Sequence, residues 1–174
     1  MRLQTLYPLT LAVLTAALPQ PQPQTRTPPT FTKVTAIDSF NVTDFTAAAV
    51  ALSNRVSYHF TVRFCQDHAP VQCSVLGTTL SEELSSVPLT WCGSEENKVA
   101  FKWTKREDDT GAHDLVIRRE VDSDRVIEEA QYVVPADETP FLGVGRFKRQ
   151  VYDGPQNFSI PAFRYESNGG IGNA

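Results

Sequence analysis

The three cysteines are the residues of this chain with the most clearly defined chemistry. They are Cys65, Cys73 and Cys92, so any pairing within the chain leaves one thiol over. Two thiols form a disulfide bond in an oxidising compartment, and an unpaired thiol there tends to bond to another chain or to stay capped. The pairing therefore bears on the compartment, the fold and the assembly of the protein, although it identifies no reaction.

Histidine and the acidic residues give only a weak indication of a site. The chain has no Gly-x-Ser-x-Gly, His-Glu-x-x-His or Cys-x-x-Cys motif. In the segment "EDDTGAHD", Asp108, Asp109 and His113 form a weak candidate for a metal site. A charged hairpin turn built on Thr110-Gly111 explains the same segment more simply. We therefore predict no catalytic residue, no metal, no cofactor and no enzyme activity.

Adjacent acids keep one enzymatic alternative open, because a pair of carboxylates can flank a glycosidic bond. Such pairs occur at positions 82–83, 95–96, 128–129 and 137–138. Neighbouring residues of a strand point to opposite faces, so most adjacent acids do not act together. A small secreted hydrolase remains the second functional hypothesis.

The elements that must position these residues are β-strands. From Val56 to Cys65, apolar and polar residues alternate without exception, and Val99, Phe101 and Trp103 continue the same period. Further segments such as "FLGVGRFKRQVY" and "FSIPAFRY" are less regular, and turn signals separate them. About eight strands with short connections predict an all-β fold, a single antiparallel barrel or barrel-like sandwich stapled by one disulfide. Residues 77–90 are predicted to be a polar loop with one helical turn near Ser81.

The alternation of side chains between the two faces of a strand, called strand parity below, predicts which cysteines are buried. Cys73 shares a strand face with Val71 and Val75 and should point into the core, whereas Cys65 shares a face with polar residues and should point outward. In a hairpin the two would lie on opposite faces, too far apart for a disulfide. We predict a bond between Cys73 and Cys92, and a free or inter-chain thiol at Cys65.

The chain termini indicate a secreted protein. Residues 1–17 combine Arg2, an apolar stretch and small residues near Ala17, which is typical of a signal peptide. Residues 18–30 are a Pro/Gln-rich tether, residues 31–165 the barrel domain and residues 166–174 a flexible tail. Secretion fits two glycosylation sequons, at Asn41 and Asn157.

Charge argues against two classes of partner. The formal net charge is −4, so the chain has no general attraction to nucleic acid or to an anionic membrane. A small basic group at Arg146, Lys148 and Arg149 is interpreted as a solvated turn.

Cys73-Ser74, a polar loop, Trp91-Cys92-Gly93 and the aromatic strand beyond it resemble the Alternaria major-allergen-like family of small secreted fungal proteins. The similarity continues through "HDLVIRREV" and covers about half of residues 31–165. It implies a compact β-barrel with its core disulfide on Cys73 and Cys92, and an effector- or elicitor-like role in virulence. The family's type member has a cysteine near its mature N-terminus and a further pair near its C-terminus. This chain lacks them, so the family's modes of dimerisation do not carry over.

These observations predict an extracellular binding protein that acts at a host interface. Its partner would be a host apoplastic protein or a cell-wall component, and the protein would be a monomer or a homodimer linked through Cys65. A lipocalin-like carrier of a small apolar ligand is a third hypothesis. The 10 Phe and 5 Tyr residues favour a filled aromatic core over an open cavity.

Overall fold

The computed structural model describes residues 31–64, 69–79, 81–93, 98–108, 110–122 and 126–167. These residues form ten β-strands and no α-helix, which confirms the all-β prediction. The strands are β1 (Phe31–Val50), β2 (Arg55–Arg63), β3 (Val71–Thr78), β4 (Val87–Trp91), β5 (Val99–Lys105), β6 (His113–Asp122), β7 (Val126–Val134), β8 (Phe141–Leu142), β9 (Arg149–Gln150) and β10 (Phe158–Ser167). The predicted signal peptide and tether lie outside the described residues. No helix in the described part of the chain is long and apolar enough to cross a membrane.

Eight strands form one antiparallel sheet, in the order β3-β2-β1-β10-β7-β6-β5-β4. The sheet curls until its edge strands β3 and β4 lie near each other, so that it is a nearly closed barrel. The two remaining strands, β8 and β9, form a short separate hairpin. The predicted antiparallel barrel is therefore confirmed, and the gap between β3 and β4 is named the seam below.

The seam is held by side chains, because no β-ladder joins β3 to β4 among the described residues. Cys73 in β3 and Cys92 just after β4 form a disulfide at one end, with their Cα atoms 4.3 Å apart. At the other end the Tyr58 hydroxyl donates a hydrogen bond to the Ser85 carbonyl at 2.5 Å. The Ser85 hydroxyl in turn donates to the Thr78 carbonyl at 3.0 Å. Covalent and side-chain bonds thus replace backbone pairing at this position.

A bulge lets the long strand β1 keep its apolar side chains inside the barrel. The pairing of β1 with β2 shifts between Thr43 and Thr46, and Asp44 adopts a left-handed backbone with φ of 57°. An extra residue in a strand reverses the alternation of its faces. The buried positions accordingly change from Phe40 and Val42 to Phe45 and Ala47. Strict alternation would have placed Phe45 in solvent.

Aromatic side chains fill the space between the walls of the barrel. Phe45, which is 1% exposed, packs against the rings of Phe60, Trp103, Tyr152 and Phe158 at centroid distances of 4.7 to 6.0 Å. The largest fully buried side chains are Trp103, Tyr58, Phe40, Phe45, Phe60 and Phe101. The interior is therefore an aromatic core of the kind that the composition favours.

Three local predictions were wrong. The predicted polar loop, residues 77–90, contains the start of β4, and residues 81–83 form a bend rather than a helical turn. The segment "FLGVGRFKRQVY" is not one strand, because a 3-10 turn (Gly145–Phe147) separates β8 from β9. Strand β10 continues to Ser167, so residues 166 and 167 belong to the sheet rather than to a tail.

Candidate functional site

The disulfide joins the two cysteines that strand parity selected. Cys73 and Cys92 are both fully buried and belong to the core cluster. Arg63, which precedes Cys65 by two residues, is exposed on the outer face of β2. Cys65 itself lies outside the described residues, so its outward thiol and the Cys65-linked dimer stay predictions.

The two described members of the weak metal candidate lie in different environments. Asp108 is exposed; its carboxylate accepts hydrogen bonds from Arg106 Nε at 2.7 Å and from the Thr110 hydroxyl at 2.6 Å. His113 is fully buried at the start of β6, and its ring stacks on Trp103 at a centroid distance of 4.9 Å. Asp109 lies outside the described residues. Within the described ranges, no group of three His, Cys, Asp or Glu side chains is placed to hold a metal ion.

Burial controls the protonation of His113. Neither ring nitrogen has a hydrogen-bond partner of good geometry within the described part of the chain. Burial lowers the pKa of His113, and the positive charge of Lys105 lowers it further, while the backbone of Leu84 and then the charges of Glu83 and Asp114 oppose the shift more weakly. The folded protein therefore holds this imidazole in its neutral form at a pH where an exposed histidine begins to protonate.

We expect His113 to make the protein less stable in acid. Its folded pKa lies below its unfolded value of about 6.5, so the unfolded chain binds a proton that the folded chain does not. The contribution to stability is complete above that value and is lost progressively as the pH falls toward the folded pKa. In His113→Phe the ring still stacks on Trp103 but cannot titrate, so its melting temperature should fall less on acidification than that of the wild type. Parallel pH profiles for the two proteins would contradict this assignment.

The adjacent acids of β7 point to opposite faces and are held in ion pairs. Glu128, only 4% exposed, faces inward and accepts a hydrogen bond from Arg164 Nη2 at 2.6 Å, with Arg119 Nη1 at 3.5 Å. Glu129 faces outward, where Arg118 Nη2 lies 2.7 Å from its carboxylate. The two carboxylates therefore cannot flank one substrate bond. Residues 95 and 96, another acidic pair, lie outside the described residues.

The two glycosylation sequons lie side by side on the outer surface. Asn41 and Asn157 are both exposed, and Asn41 is the cross-strand neighbour of Ser159. Ser159, the third residue of the second sequon, donates its hydroxyl to Asn41 Oδ1 at 2.6 Å. The backbone N–H of Asp44 donates to Asn157 Oδ1 at 3.2 Å. Both bonds use the amide oxygen, so neither occupies the nitrogen that carries an N-linked sugar.

We expect Asn41 to be glycosylated in preference to Asn157, because Thr43 is a better third residue than Ser159. Endoglycosidase treatment of the protein from its native source should increase its gel mobility. Asn41→Gln should remove most of this change and Asn157→Gln little of it. A mobility that endoglycosidase leaves unaltered would show that neither sequon is used.

An apolar cleft lies on the outer face of β7 and β10. Val133, Pro161, Phe163 and Tyr165 line a cleft of about 540 Å³ together with Glu129 and Gln131. We name these six residues the outer patch. Phe163 is 42% exposed and Val133 44%. An apolar area of this kind on the outside of a barrel contributes nothing to its core.

The outer patch continues across β10 onto β1. Val34 lies directly opposite Tyr165, and Ala36 lies opposite Phe163. Directly opposed residues of antiparallel strands project from the same face of the sheet. Val34 is 57% exposed, so the apolar surface extends over three neighbouring strands.

The sequence of β10 indicated the outer patch, because it has apolar residues on both faces of the strand. In "FSIPAFRY" the core side chains are Ile160 and Ala162, which leaves Pro161, Phe163 and Tyr165 for the outer face. A strand with apolar residues on both faces is expected either in a buried sheet or at a surface that contacts something else. The irregular alternation of this segment was therefore informative, although it did not show which neighbours complete the surface.

Comparison with known proteins does not assign this chain to a family. No family model matches it, and neither a curated protein nor a solved structure is significantly similar to it.

Proposed function

We propose that this protein is a secreted, non-catalytic binding protein that engages a protein partner at a host interface through its outer patch. The observation that carries the proposal is the exposed aromatic cleft around Phe163, on the outside of a barrel whose interior is filled. A filled barrel has its outer surface available for recognition, and this surface carries the exposed apolar side chains of Val133 and Phe163.

The composition of the outer patch favours a protein partner over a polysaccharide. Four of its six residues are apolar or aromatic, and its polar members are already engaged: Glu129 is paired with Arg118, and Gln131 donates a hydrogen bond to Asp114 at 3.1 Å. Exposed aromatic residues of this kind are typical of protein–protein interfaces. A cell-wall polysaccharide would need free polar groups beside the aromatic rings, and the polar groups here are already engaged.

The role at a host interface rests on the sequence resemblance. Cys73-Ser74 and Trp91-Cys92-Gly93 resemble the Alternaria major-allergen-like family. This resemblance implies an extracellular role like that of an effector or elicitor. The buried disulfide between Cys73 and Cys92 supports an oxidising, extracellular environment.

The two alternative functions have less support. A lipocalin-like carrier needs an open interior, and the positions that would line it are occupied by rings such as Phe45 and Trp103. A hydrolase acting through paired carboxylates needs two acids on one side of a substrate bond. Glu128 and Glu129 lie on opposite faces of β7, and each is engaged by arginine.

Capture from host apoplastic fluid tests the proposal with a matched pair of variants. Phe163→Ser alters the centre of the outer patch, and Leu89→Ser removes an equally exposed apolar side chain from β4 (42% and 45% exposed). We expect the wild type and Leu89→Ser to capture the same host protein, with binding that saturates as its concentration rises. Phe163→Ser should bind it at least tenfold more weakly, because a central aromatic residue contributes well over 1 kcal/mol at such interfaces.

A panel of glycosidase, esterase and protease assays run on the same preparation tests the enzymatic alternative. Turnover that disappears in Glu128→Gln would overturn the proposal in favour of a hydrolase. Capture that is equally strong for Phe163→Ser and the wild type would exclude the outer patch as the binding surface.

A further inference from the structure

One segment of the chain presents apolar side chains to solvent in an unbroken exposed run. Residues 141–149 include β8, the 3-10 turn and the first residue of β9. Every one of them is exposed. Four of the nine are large apolar residues: Phe141 (42%), Leu142 (47%), Val144 (82%) and Phe147 (49%). We name residues 141–149 the hairpin tip. So many exposed apolar side chains in one short segment mark an interaction site rather than ordinary surface.

The same tip is positively charged. Arg146, Lys148 and Arg149 belong to it, and no acidic residue occurs between positions 141 and 150. Lys148 Nζ lies 4.7 Å from the centre of the Phe141 ring, and the Arg146 guanidinium lies 5.4 Å from that of Phe147. Two of the three cations therefore lie close to apolar rings of the same hairpin.

The base of the hairpin is fixed to the barrel. Gln150 is buried; its side-chain oxygen accepts a hydrogen bond from the Leu84 N–H at 2.9 Å, and its amide donates to the Thr139 carbonyl at 3.0 Å. Gly143 adopts a φ of 91°, and a Cβ atom there would overlap the carbonyl oxygen of Phe147. The turn thus needs glycine, and the base of the hairpin is anchored to the barrel.

We propose that the hairpin tip docks on the surface of an anionic phospholipid bilayer. Its apolar side chains enter the boundary between headgroups and acyl chains, and its cations bind the lipid phosphates. Apolar and basic residues in one small element are the combination that interfacial binding requires. The outer patch is made of other residues, so this inference is independent of the proposed function.

The net charge of the chain does not oppose this docking. The expectation of no membrane partner rests on a total of −4, whereas a surface field acts within about a Debye length, roughly 10 Å, of the tip. Two acids, Glu82 and Glu83, line one cleft together with Phe141 and Lys148. Glu83 is itself paired with Lys105 at 3.1 Å. The balance of charge at the tip therefore stays positive.

A lipid surface fits the tip better than a soluble polyanion does. Val144 is the most exposed large apolar residue of the described chain, at 82%. A polyanion such as polygalacturonate would contact the three cations and leave Val144 in water. An anionic bilayer, with an apolar layer below an anionic layer, uses both sets of side chains.

Vesicle flotation tests the inference with a matched pair of variants. Leu142→Ser lies in the tip and Leu89→Ser lies on β4; the two leucines are 47% and 45% exposed. We expect the wild type and Leu89→Ser to float with vesicles of phosphatidylcholine containing about a third phosphatidylglycerol, and not with pure phosphatidylcholine. Leu142→Ser should partition about tenfold more weakly, and Lys148→Ala about fivefold more weakly. Binding of the wild type should weaken as salt is added.

Circular dichroism of each variant establishes that it is folded before flotation is interpreted. Failure of the folded wild type to float with anionic vesicles would overturn the inference. So would equal losses for Leu142→Ser and Leu89→Ser. If polygalacturonate binds the wild type and Leu142→Ser equally while neither protein floats with anionic vesicles, the tip is a polyanion site and the lipid assignment is wrong.

Discussion

Replacing Cys73 or Cys92 by serine should lower the free energy of unfolding by about 3 kcal/mol. The bond closes a loop with a sequence separation of 19, and loop entropy alone gives a stabilisation of about that size. The structure adds a second reason, because the disulfide holds one end of a seam that has no backbone ladder among the described residues. Each substitution also places a serine hydroxyl at a fully buried, apolar position.

Urea unfolding of the two single variants and of Cys73→Ser/Cys92→Ser measures this effect. Either substitution breaks the same bond, so the double variant should be nearly as stable as each single variant rather than showing twice the loss. Cys65→Ser is the control and should change stability little. A similar loss for Cys65→Ser and Cys73→Ser would contradict the pairing and the parity argument behind it.

Phe45→Ala should lower the free energy of unfolding by about 3 to 5 kcal/mol, the range for truncation of a large buried aromatic side chain. Phe45 is 1% exposed and packs against four aromatic rings, which come from β2, β5, β10 and the segment just before β10. Truncation would leave a cavity that the rigid walls of the barrel cannot close. The cavity should also admit a small apolar molecule, which an apolar void of this kind binds.

Thermal and urea unfolding test this prediction, with Phe163→Ala as the matched control. Phe163 is 42% exposed, so its truncation should change stability by no more than about 0.5 kcal/mol. Comparable losses for the two variants would mean that the interior is not tightly packed, and the carrier hypothesis would gain support. Binding of benzene by Phe45→Ala and not by the wild type would confirm that the native interior is filled.

Strand parity predicted those parts of the fold in which one face of a strand is buried along its whole length. In β2, the alternation from Val56 to Val62 matches the observed burial at every position. The same parity placed Cys73 in the core and led to the observed disulfide. Local pattern sufficed in these cases because the physical cause, burial of alternate side chains, is itself local.

Strand parity did not predict strands that bury few side chains or that change register. Strand β4 is an edge strand in which only Val87 is buried, and Pro88 removes one backbone donor, so its sequence is similar to that of a loop. In β1, the bulge at Asp44 reverses the alternation, which concealed the second half of the strand. In the hairpin tip, Gly143 and Gly145 both adopt positive φ. These two glycines were the signal that the segment turns rather than continuing as one strand.

The candidate surfaces depend on pairing between distant parts of the chain. Phe163 lies opposite Ala36 on one side and Glu129 on the other, and Asn41 meets Ser159, 118 residues away. A single strand shows only that apolar residues occur on both of its faces. Which residues complete the outer patch follows from sheet order and register, and these were not available from the sequence.

Chemical-shift mapping tests most directly whether this protein binds through its outer face. The isotopically labelled protein is titrated with the host protein recovered by capture, and the backbone amide signals are followed. We expect the largest changes at Val133, Phe163 and Tyr165, with little change at core residues such as Trp103. Changes concentrated at Phe45 and Trp103, with the outer patch unaffected, would contradict the proposal and show that the ligand enters the barrel.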